Sequence, residues 1–361
     1  MTSVSVHAIE FSGQYTNLLF YTKGSQGQSI TTDLNRLRLR LEGAEGPFSW
    51  EVAYDNEMLW GGLVRDPLFR ALSALPDPTY ADLTATIHSS GSLDWQHTLY
   101  RGWLQFERGS IQVTAGRQRI AWGSGRIWNP TDRFNPVDPT ALEPEQKTGV
   151  DAGIAAWRYS KSGVIQAVVA PGRVAHGVSR KWVLRWQDTF GETDVSLLGG
   201  RIGDEDIFGL DITGNVGDGG ARLELMQAWP AQSKSYLQLS AGYDYTLTNQ
   251  WFPAGLYLAA EYFYNGAPGI VPLGQSVDRL QTLKRSLFGV MAGYDLTPLW
   301  RLDLLLLADT GDPSVFFLPQ LVWSAAENID ISLFAQLPGG AQSGEFARFE
   351  NLLALRMDWY F

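Results

Sequence analysis

The sequence predicts an all-β chain that closes into a transmembrane, antiparallel, up-and-down β-barrel of about eighteen strands, with sixteen as the alternative count. Three observations predict this fold. Apolar and polar side chains alternate with a period of two along most of the chain, which is typical of strands with two different faces. Tryptophan and tyrosine lie near the ends of the alternating segments. Tight turns alternate with longer connections, as they do in membrane barrels.

The alternation is clearest in segments that carry full charges on one face only. In "NRLRLRLEG", residues 35–43, leucines alternate with arginines, and "FSWEVAYD", residues 48–55, has the same period. The apolar faces carry aromatic residues close to the strand ends, namely Trp50, Trp60, Trp182, Trp186, Tyr243, Tyr245 and Trp359. Aromatic girdles of this kind mark the two water–lipid interfaces of a membrane barrel. We therefore expect the apolar face to contact lipid and the charged face to line a lumen.

Residues 1–361 are expected to form a single barrel domain. Most turns are tight, and longer loops are expected at about 61–95, 123–147 and 266–283. An even strand count places both chain ends on the side of the short turns, which is the periplasmic side of such barrels. Closure also satisfies every backbone hydrogen bond, which hydrocarbon cannot do.

The chain ends with "LLALRMDWYF", residues 352–361. The aromatic residues Trp359 and Phe361 share a face with Leu353, Leu355 and Met357. This ending resembles the C-terminal signature of outer-membrane proteins, which the barrel-assembly machinery reads. The resemblance implies the outer membrane of a Gram-negative bacterium, with outer-membrane lipid and that machinery as partners.

The charged face of the strands predicts the wall of the lumen. The expected pore-lining residues are Arg36, Arg38, Arg40, Glu51, Asp55, Arg185, Asp211, Arg222, Glu224, Asp244, Arg301, Asp303, Arg356 and Asp358. Tight turns are expected to set Arg40 opposite Glu51, Arg36 opposite Asp55 and Asp211 opposite Arg222, which stabilises each strand pair by roughly 0.2–1 kcal/mol. In one alternative, such pairs serve only to stabilise a wall in contact with water. In the other, members that stay unpaired set an electric field that acts on solutes.

One segment, residues 115–149, breaks the alternation. A bulge near Gly116 is expected to turn Arg117 and Arg119 into the lumen, because an arginine in lipid costs about 2–4 kcal/mol at the midplane. Prolines follow and exclude a central strand. Residues 122–148 then either fold into the lumen and narrow it, as the third loop of general porins does, or form a surface loop. The expected constriction residues are Arg117, Arg119, Arg126, Asp132, Arg133, Asp138, Glu143 and Glu145.

The "GRQ…G…R" stretch at residues 116–126 resembles alginate-exporter and related porin-like families. In those families an arginine-rich strand and the loop after it face the lumen. The resemblance covers roughly thirty residues, and the "NPTDRFNPVDP" that follows departs from the family pattern. It implies an outer-membrane channel and points to export of a polysaccharide as one further function.

Composition excludes several other functions. The chain has no cysteine, which removes thiolate catalysis, iron–sulfur clusters and covalent haem attachment. Its net charge of −10 disfavours nucleic-acid binding. The four histidines, His7, His88, His97 and His176, have no metal-ligand spacing. We expect neither an enzyme nor a bound cofactor.

Eighteen strands leave a water-filled interior, and three functions fit it. The first is a porin for passive diffusion of small hydrophilic solutes or ions, with selectivity set by lumen charge and pore radius. The second is a sheath that holds a multihaem cytochrome in a porin–cytochrome electron conduit, with haem present only in the partner. The third and weakest is a polysaccharide export channel.

Overall fold

The computed structural model describes residues 9–74, 79–146, 149–174, 177–269 and 279–361. Its strands form one continuous sheet in which every neighbouring pair is antiparallel. The strands are β1 Ile9–Lys23, β2 Ser29–Glu45, β3 Phe48–Gly61, β4 Thr84–Ser90, β5 Leu93–Arg108, β6 Ile111–Gln118, β7 Val150–Arg158, β8 Val164–Val174, β9 Gly177–Phe190, β10 Thr193–Ile202, β11 Glu205–Val216, β12 Gly219–Pro230, β13 Tyr236–Leu247, β14 Leu256–Asn265, β15 Ser286–Thr297, β16 Trp300–Asp309, β17 Ser314–Ala326, β18 Ile329–Gly340 and β19 Leu352–Tyr360.

Eighteen of these strands close into a barrel, as the sequence predicted. Each strand of the ring pairs with the next one along the chain, and the last strand, β19, pairs with β1 from Gln14 opposite Tyr360 to Tyr21 opposite Leu353. The first strand was predicted over 3–22. It begins at Ile9, and residues 3–8 lie outside the described residues, as does His7.

The remaining strand, β4, was not predicted. It lies within the expected 61–95 loop, after a 3-10 helix at Leu63–Arg65 and the short helix α1 at Pro67–Ser73. The strand β4 pairs with the loop-side half of β5, beyond the point where β6 stops. Residues 270–278 of the expected 266–283 loop lie outside the described residues, as do Lys147, Thr148 and His176.

The two faces of the wall differ as the alternation predicted. Large apolar side chains such as Leu184, Leu306 and Leu333 are exposed on the outer face. Exposed aromatic residues gather at its two ends: Phe11, Phe48, Trp157, Phe190, Trp300, Trp323 and Trp359 at the end with the short turns, and Tyr21, Trp60, Trp182, Trp229 and Tyr262 at the end with the long loops. No helix within the described residues is long and apolar enough to cross a membrane.

The C-terminal residue completes the closure of the barrel. The N–H of Gly13 donates to the Phe361 carbonyl at 2.7 Å, and the N–H of Phe361 donates to the Gly13 carbonyl at 3.0 Å. The Phe361 ring covers Gly13 so closely that a Cβ there would lie 2.3 Å from it. The ring also lies 5.0 Å from that of Trp359. The role of these two aromatic residues as an assembly signal stays a prediction.

Candidate functional site

The interior of the barrel holds the segment that breaks the alternation. Strands β6 and β7 are short, and the described part of the chain between them, residues 119–146, runs across the lumen instead of along the outside. We call residues 119–146 the inward loop. Its apolar residues Ile120, Trp122, Ile127, Trp128 and Phe134 are all buried against the barrel wall.

Glu224 on β12 holds the first half of the inward loop. It is 1% exposed. Its Oε1 accepts from the N–H groups of Ser124 at 2.8 Å and Gly125 at 2.7 Å. Its Oε2 accepts from the N–H and the hydroxyl of Thr131 at 3.0 and 2.6 Å. One wall carboxylate thus satisfies three backbone donors of a loop that has no regular structure of its own.

Glu261 on β14 repeats this arrangement one turn of the loop further on. It is 2% exposed, and it accepts from the N–H groups of Arg126 at 2.8 Å and Trp128 at 2.7 Å. The Trp128 ring stacks on Phe263 at 5.5 Å. Nearby, the Ser124 hydroxyl donates to Asp211 at 2.5 Å.

The middle of the inward loop turns back on itself. Asp132 accepts from the N–H groups of Phe134 and Asn135 at 3.2 and 2.9 Å. Buried Arg133 donates to Glu205 on β11 at 2.6 Å. Asp138 is exposed and accepts from the N–H of Thr140 at 2.9 Å. These contacts fix the shape of the loop within the lumen.

The second half of the inward loop is held by side-chain ion pairs. Glu143 accepts two hydrogen bonds from the Arg36 guanidinium, at 3.1 and 2.6 Å. Arg356 on β19 donates to Glu145 at 2.7 Å. In addition, Gln336 on β18 donates to the Thr140 carbonyl at 3.1 Å. The loop therefore contacts the wall on both sides of the barrel.

An arginine-rich cavity of about 320 Å³ remains between the inward loop and the wall formed by β2, β3 and β5. Its charged lining consists of Arg38, Arg40, Arg101, Arg119, Glu42, Glu51 and Glu145. Arg38 binds Asp55 through two hydrogen bonds of 2.6 and 2.7 Å. Arg119 is exposed, and within the described residues no carboxylate lies within ion-pair distance of it. A cationic group therefore faces open space in this cavity.

A second cavity, of about 330 Å³, lies on the other side of Glu145. Its lining is mainly apolar and includes Leu142, Met291, Leu305 and Phe334, together with the charged residues Arg301, Asp303 and Arg356. The two cavities share Glu145. Together they place an apolar surface next to an arginine cluster.

A third cavity, of about 270 Å³, lies on the loop side and is lined by Trp128, Pro139, Arg279, Glu345 and Arg348 among others. Burial raises the pKa of the Glu345 carboxyl, although it accepts from the Lys284 N–H and lies 3.5 Å from Arg348. This cavity and the apolar one share Pro139 of the inward loop.

The expected bulge at Gly116 is absent, and the predicted inward direction of Arg117 is wrong. The pairing of β6 with β5 and β7 runs without a register shift through Arg117, so that residue keeps the outward face of Val113. It is nevertheless 1% exposed, because it pairs with Asp151 at 3.0 Å and donates to the Ala81 carbonyl and the Thr79 hydroxyl. The segment 79–83 covers the arginine where we expected lipid. Arg119 faces the lumen, as expected.

The predicted cross-strand pairs are wrong by two residues. Arg38 lies opposite Asp55 and Arg36 opposite Glu57, while Arg40 lies opposite Ala53. The turn at 46–47 is shorter than expected, and a two-residue slip keeps each side chain on its face. On β11, Asp211 lies opposite Glu224 instead of Arg222. These two carboxylates can lie opposite each other because the inward loop supplies hydrogen-bond donors to both.

The other predicted wall residues also face inward. Arg222 pairs with Asp244, which lies 3.6 Å from Arg126. Arg40 lies 3.3 Å from Glu51, and Arg185 donates to Ser196 at 2.9 Å. In the same way, Arg301 pairs with Asp303 at 3.0 Å, and Asp358 accepts from Thr16 at 2.7 Å. Most of these groups brace the wall.

The sequence did not identify Glu261, Arg101 or Tyr100. Glu261 lies in "LYLAAEYFYN", where a lone carboxylate on an apolar strand was the available signal. Tyr100 and Arg101 adjoin a register shift between β3 and β5, which period-two counting does not follow. The Tyr100 ring lies 3.5 Å from the Arg38 guanidinium carbon and 4.0 Å from that of Arg101.

No family model matches the chain, and no curated protein matches it in sequence. Solved structures match over 98% of this chain and 98% of theirs. They include OccK9 (OpdG) of Pseudomonas aeruginosa at 13% identity and a TM-score of 0.65, and the outer-membrane protein OpdK of the same species at 9% and 0.63. A BenF-like porin from Pseudomonas fluorescens matches at 9% and 0.62. The chain therefore has the fold of Gram-negative outer-membrane porins, as the sequence predicted.

Proposed function

We propose that this chain is a passive channel of the outer membrane for small hydrophilic solutes, narrowed by residues 122–148 inside the barrel. The observation that carries the proposal is the pair of buried wall carboxylates, Glu224 and Glu261, whose acceptors are directed at backbone N–H groups of the inward loop. Buried carboxylates are costly without donors. The wall is therefore built to hold this loop in the lumen.

The two cavities beside Glu145 support small organic anions as the solutes. The arginine-rich cavity offers Arg40, Arg101 and Arg119, and the apolar cavity next to it offers surface for a hydrocarbon or aromatic body. A solved structure of Pseudomonas aeruginosa OpdK, 10% identical to this chain, contains vanillate, which is an aromatic carboxylate. Arginine recognises carboxylates with paired hydrogen bonds, so we propose small carboxylates as the preferred class.

The same contacts favour a channel over a cytochrome sheath. A sheath needs a lumen free for a folded haem protein, whereas the inward loop contacts β2, β12, β14, β18 and β19 across the interior. A polysaccharide exporter would need a comparably wide path. A non-enzymatic role agrees with the porin fold.

Planar-bilayer recording of the purified barrel tests the proposal. We expect discrete open steps, and a reversal potential in a KCl gradient that moves toward the cation value in Arg119→Ala. The matched control is Arg158→Ala, which removes an exposed arginine paired with Glu107 at the short-turn end. A barrel that is silent alone and copurifies with a haem protein would support the sheath instead.

A further inference from the structure

The lipid-facing surface is not uniform around the barrel. On the described strands β10 to β19, the outer face carries one amide side chain between the aromatic girdles, Gln227, and one acidic side chain at the girdle, Asp206 opposite Trp229. On β1, β2, β3 and β5 the same face carries five Asn, Asp or His side chains. We call Asn17, Asp33, Asn35, Asn56 and His97 the polar stripe.

The strand register places the polar stripe on the outer face. Asn17 lies opposite Asn35. The pairs on either side, Thr16 with Arg36 and Leu18 with Leu34, face the lumen, so Asn17 and Asn35 face outward. Asn56 lies opposite both Leu37 and His97. All five stripe residues are half-buried. The stripe therefore runs without a break across four adjacent strands.

The asparagines of the polar stripe lie inside the apolar band of the barrel. On β1, Asn17 lies between the exposed aromatic residues Phe11 and Tyr21. On β3, Asn56 lies between Trp50 and the exposed Trp60. Aromatic residues at such positions mark the two interfaces of the membrane. Asn17, Asn35 and Asn56 are therefore at the depth of hydrocarbon, whereas Asp33 lies opposite Trp60 at the girdle.

The stripe residues satisfy only part of one another's hydrogen-bonding capacity. The Asn17 amide donates to Asp33 at 2.6 Å and to Asn35 at 3.2 Å, and the Tyr15 hydroxyl donates to Asn35 at 2.5 Å. The Trp95 indole donates to Asn56 at 3.0 Å. Among the described residues, the amide nitrogens of Asn35 and Asn56 have no acceptor. Hydrocarbon cannot supply one.

We propose that the polar stripe is the surface through which two copies of this chain contact each other, side by side in the outer membrane. Copies of one barrel are inserted to the same depth, so rotation about the membrane normal brings polar residues of one copy to the depth of those of the next. Asparagine and histidine both donate and accept, so the surface is complementary to itself. A different partner would need its own polar groups at this depth.

A contact between copies would extend beyond the polar stripe onto the side chains around it. Four strands at about 4.8 Å spacing are about 19 Å wide, and the apolar band of such barrels is about 25 Å tall. Large exposed side chains flank the stripe, including Leu19, Met58 and Trp60. The flat area of these four strands is about 480 Å², below the about 800 Å² that each partner of a stable interface buries, so these flanking side chains must take part in the contact.

Single-cysteine cross-linking tests the proposal, because the chain has no native cysteine. Asn35→Cys in outer membranes, treated with a short bis-maleimide, should give a cross-linked product of twice the chain mass. The matched control is Leu239→Cys, which lies on the outer face of β13 on the opposite wall. We expect several-fold more product for Asn35→Cys. Equal yields, or a product with a different protein, would overturn the proposal.

A second variant separates association from folding. Asn17→Leu combined with Asn35→Leu and Asn56→Leu makes the stripe apolar and suits lipid, so the barrel should still fold and keep its heat-modifiable migration on gels. Light scattering in detergent should then show the chain as a monomer, whereas the unchanged chain shows a larger assembly. An unchanged chain that is already monomeric in detergent and in membranes contradicts the inference.

Discussion

The two halves of the inward loop bind the wall with opposite chemistry. In the first half, the wall supplies the carboxylates of Glu224 and Glu261, and the loop supplies backbone N–H groups. In the second half, the loop supplies the carboxylates of Glu143 and Glu145, and the wall supplies arginines. The first half is therefore held mainly through its backbone, with added side-chain contacts from Ser124, Trp128 and Thr131. The second half depends on individual loop side chains.

The largest expected effect comes from removing a carboxylate of the first half. Glu224→Ala leaves buried donors of Ser124, Gly125 and Thr131 without an acceptor, and each costs about 1–3 kcal/mol. We expect the free energy of unfolding to fall by about 3–5 kcal/mol and the single-channel conductance to rise as the loop leaves the lumen. Urea titration followed by tryptophan fluorescence measures the first, and bilayer recording the second.

Glu107→Ala is the control for that change, because Glu107 is an exposed carboxylate paired with Arg158. Such a pair contributes about 0–1 kcal/mol. If Glu224→Ala behaves like this control in both measurements, the wall carboxylates do not hold the loop.

Arg117→Ala tests the outward direction of this residue, which lies where β6 meets the inward loop. The change leaves Asp151 without its buried partner, so we expect a loss of about 3 kcal/mol. Because Arg117 lies on the outward face, the reversal potential should not change. A shifted reversal potential would indicate that Arg117 faces the lumen, which would contradict the observed register.

A double-mutant cycle on Arg36 and Glu143 measures the second half directly. We expect a coupling energy of about 2 kcal/mol, within the usual range for contacting residues. Both partners are largely buried, with side chains 9% and 11% exposed. A coupling near zero would show that the second half is held by apolar packing of Leu142 instead.

The smallest expected effect concerns Asp66, which binds backbone N–H groups outside the barrel as Glu224 does inside it. Burial raises the pKa of Asp66, but hydrogen bonds from Ser25, Leu68 and Phe69 outweigh this, and the net pKa is lowered. Its contribution is therefore present above the ordinary aspartate pKa of about 3.9 and is lost as pH falls below it. Asp66→Asn should remove this pH dependence from amide exchange at α1, with a loss of about 1 kcal/mol.

Period-two alternation was sufficient to predict the barrel, because successive side chains of a wall strand point alternately to lipid and to water. It also placed Arg36 and Arg356 inside, since a charged side chain in lipid is costly, whereas Glu143 was predicted inside from the segment that breaks the alternation. It did not predict β4, whose sequence "TATIHSS" is exposed after the half-buried Thr84 and has no buried face.

The first anchor of the inward loop could not be predicted for a physical reason. Every residue except proline has a backbone N–H, so the sequence does not mark which ones meet Glu224 and Glu261. The direction of Arg117 depended on contacts with residues 79–81, distant in sequence. Register was wrong by two residues at Arg36, Arg40 and Asp211, because turn length sets register and alternation does not.

We propose that solutes pass between the inward loop and the arginines of β2, β3 and β5. Because the chain has no native cysteine, the most direct measurement is the current through Arg119→Cys before and after a charged methanethiosulfonate reagent. We predict that the reagent reduces the current through Arg119→Cys and leaves that through Arg117→Cys unchanged. An unchanged current through Arg119→Cys, or equal reduction in both variants, would contradict the account.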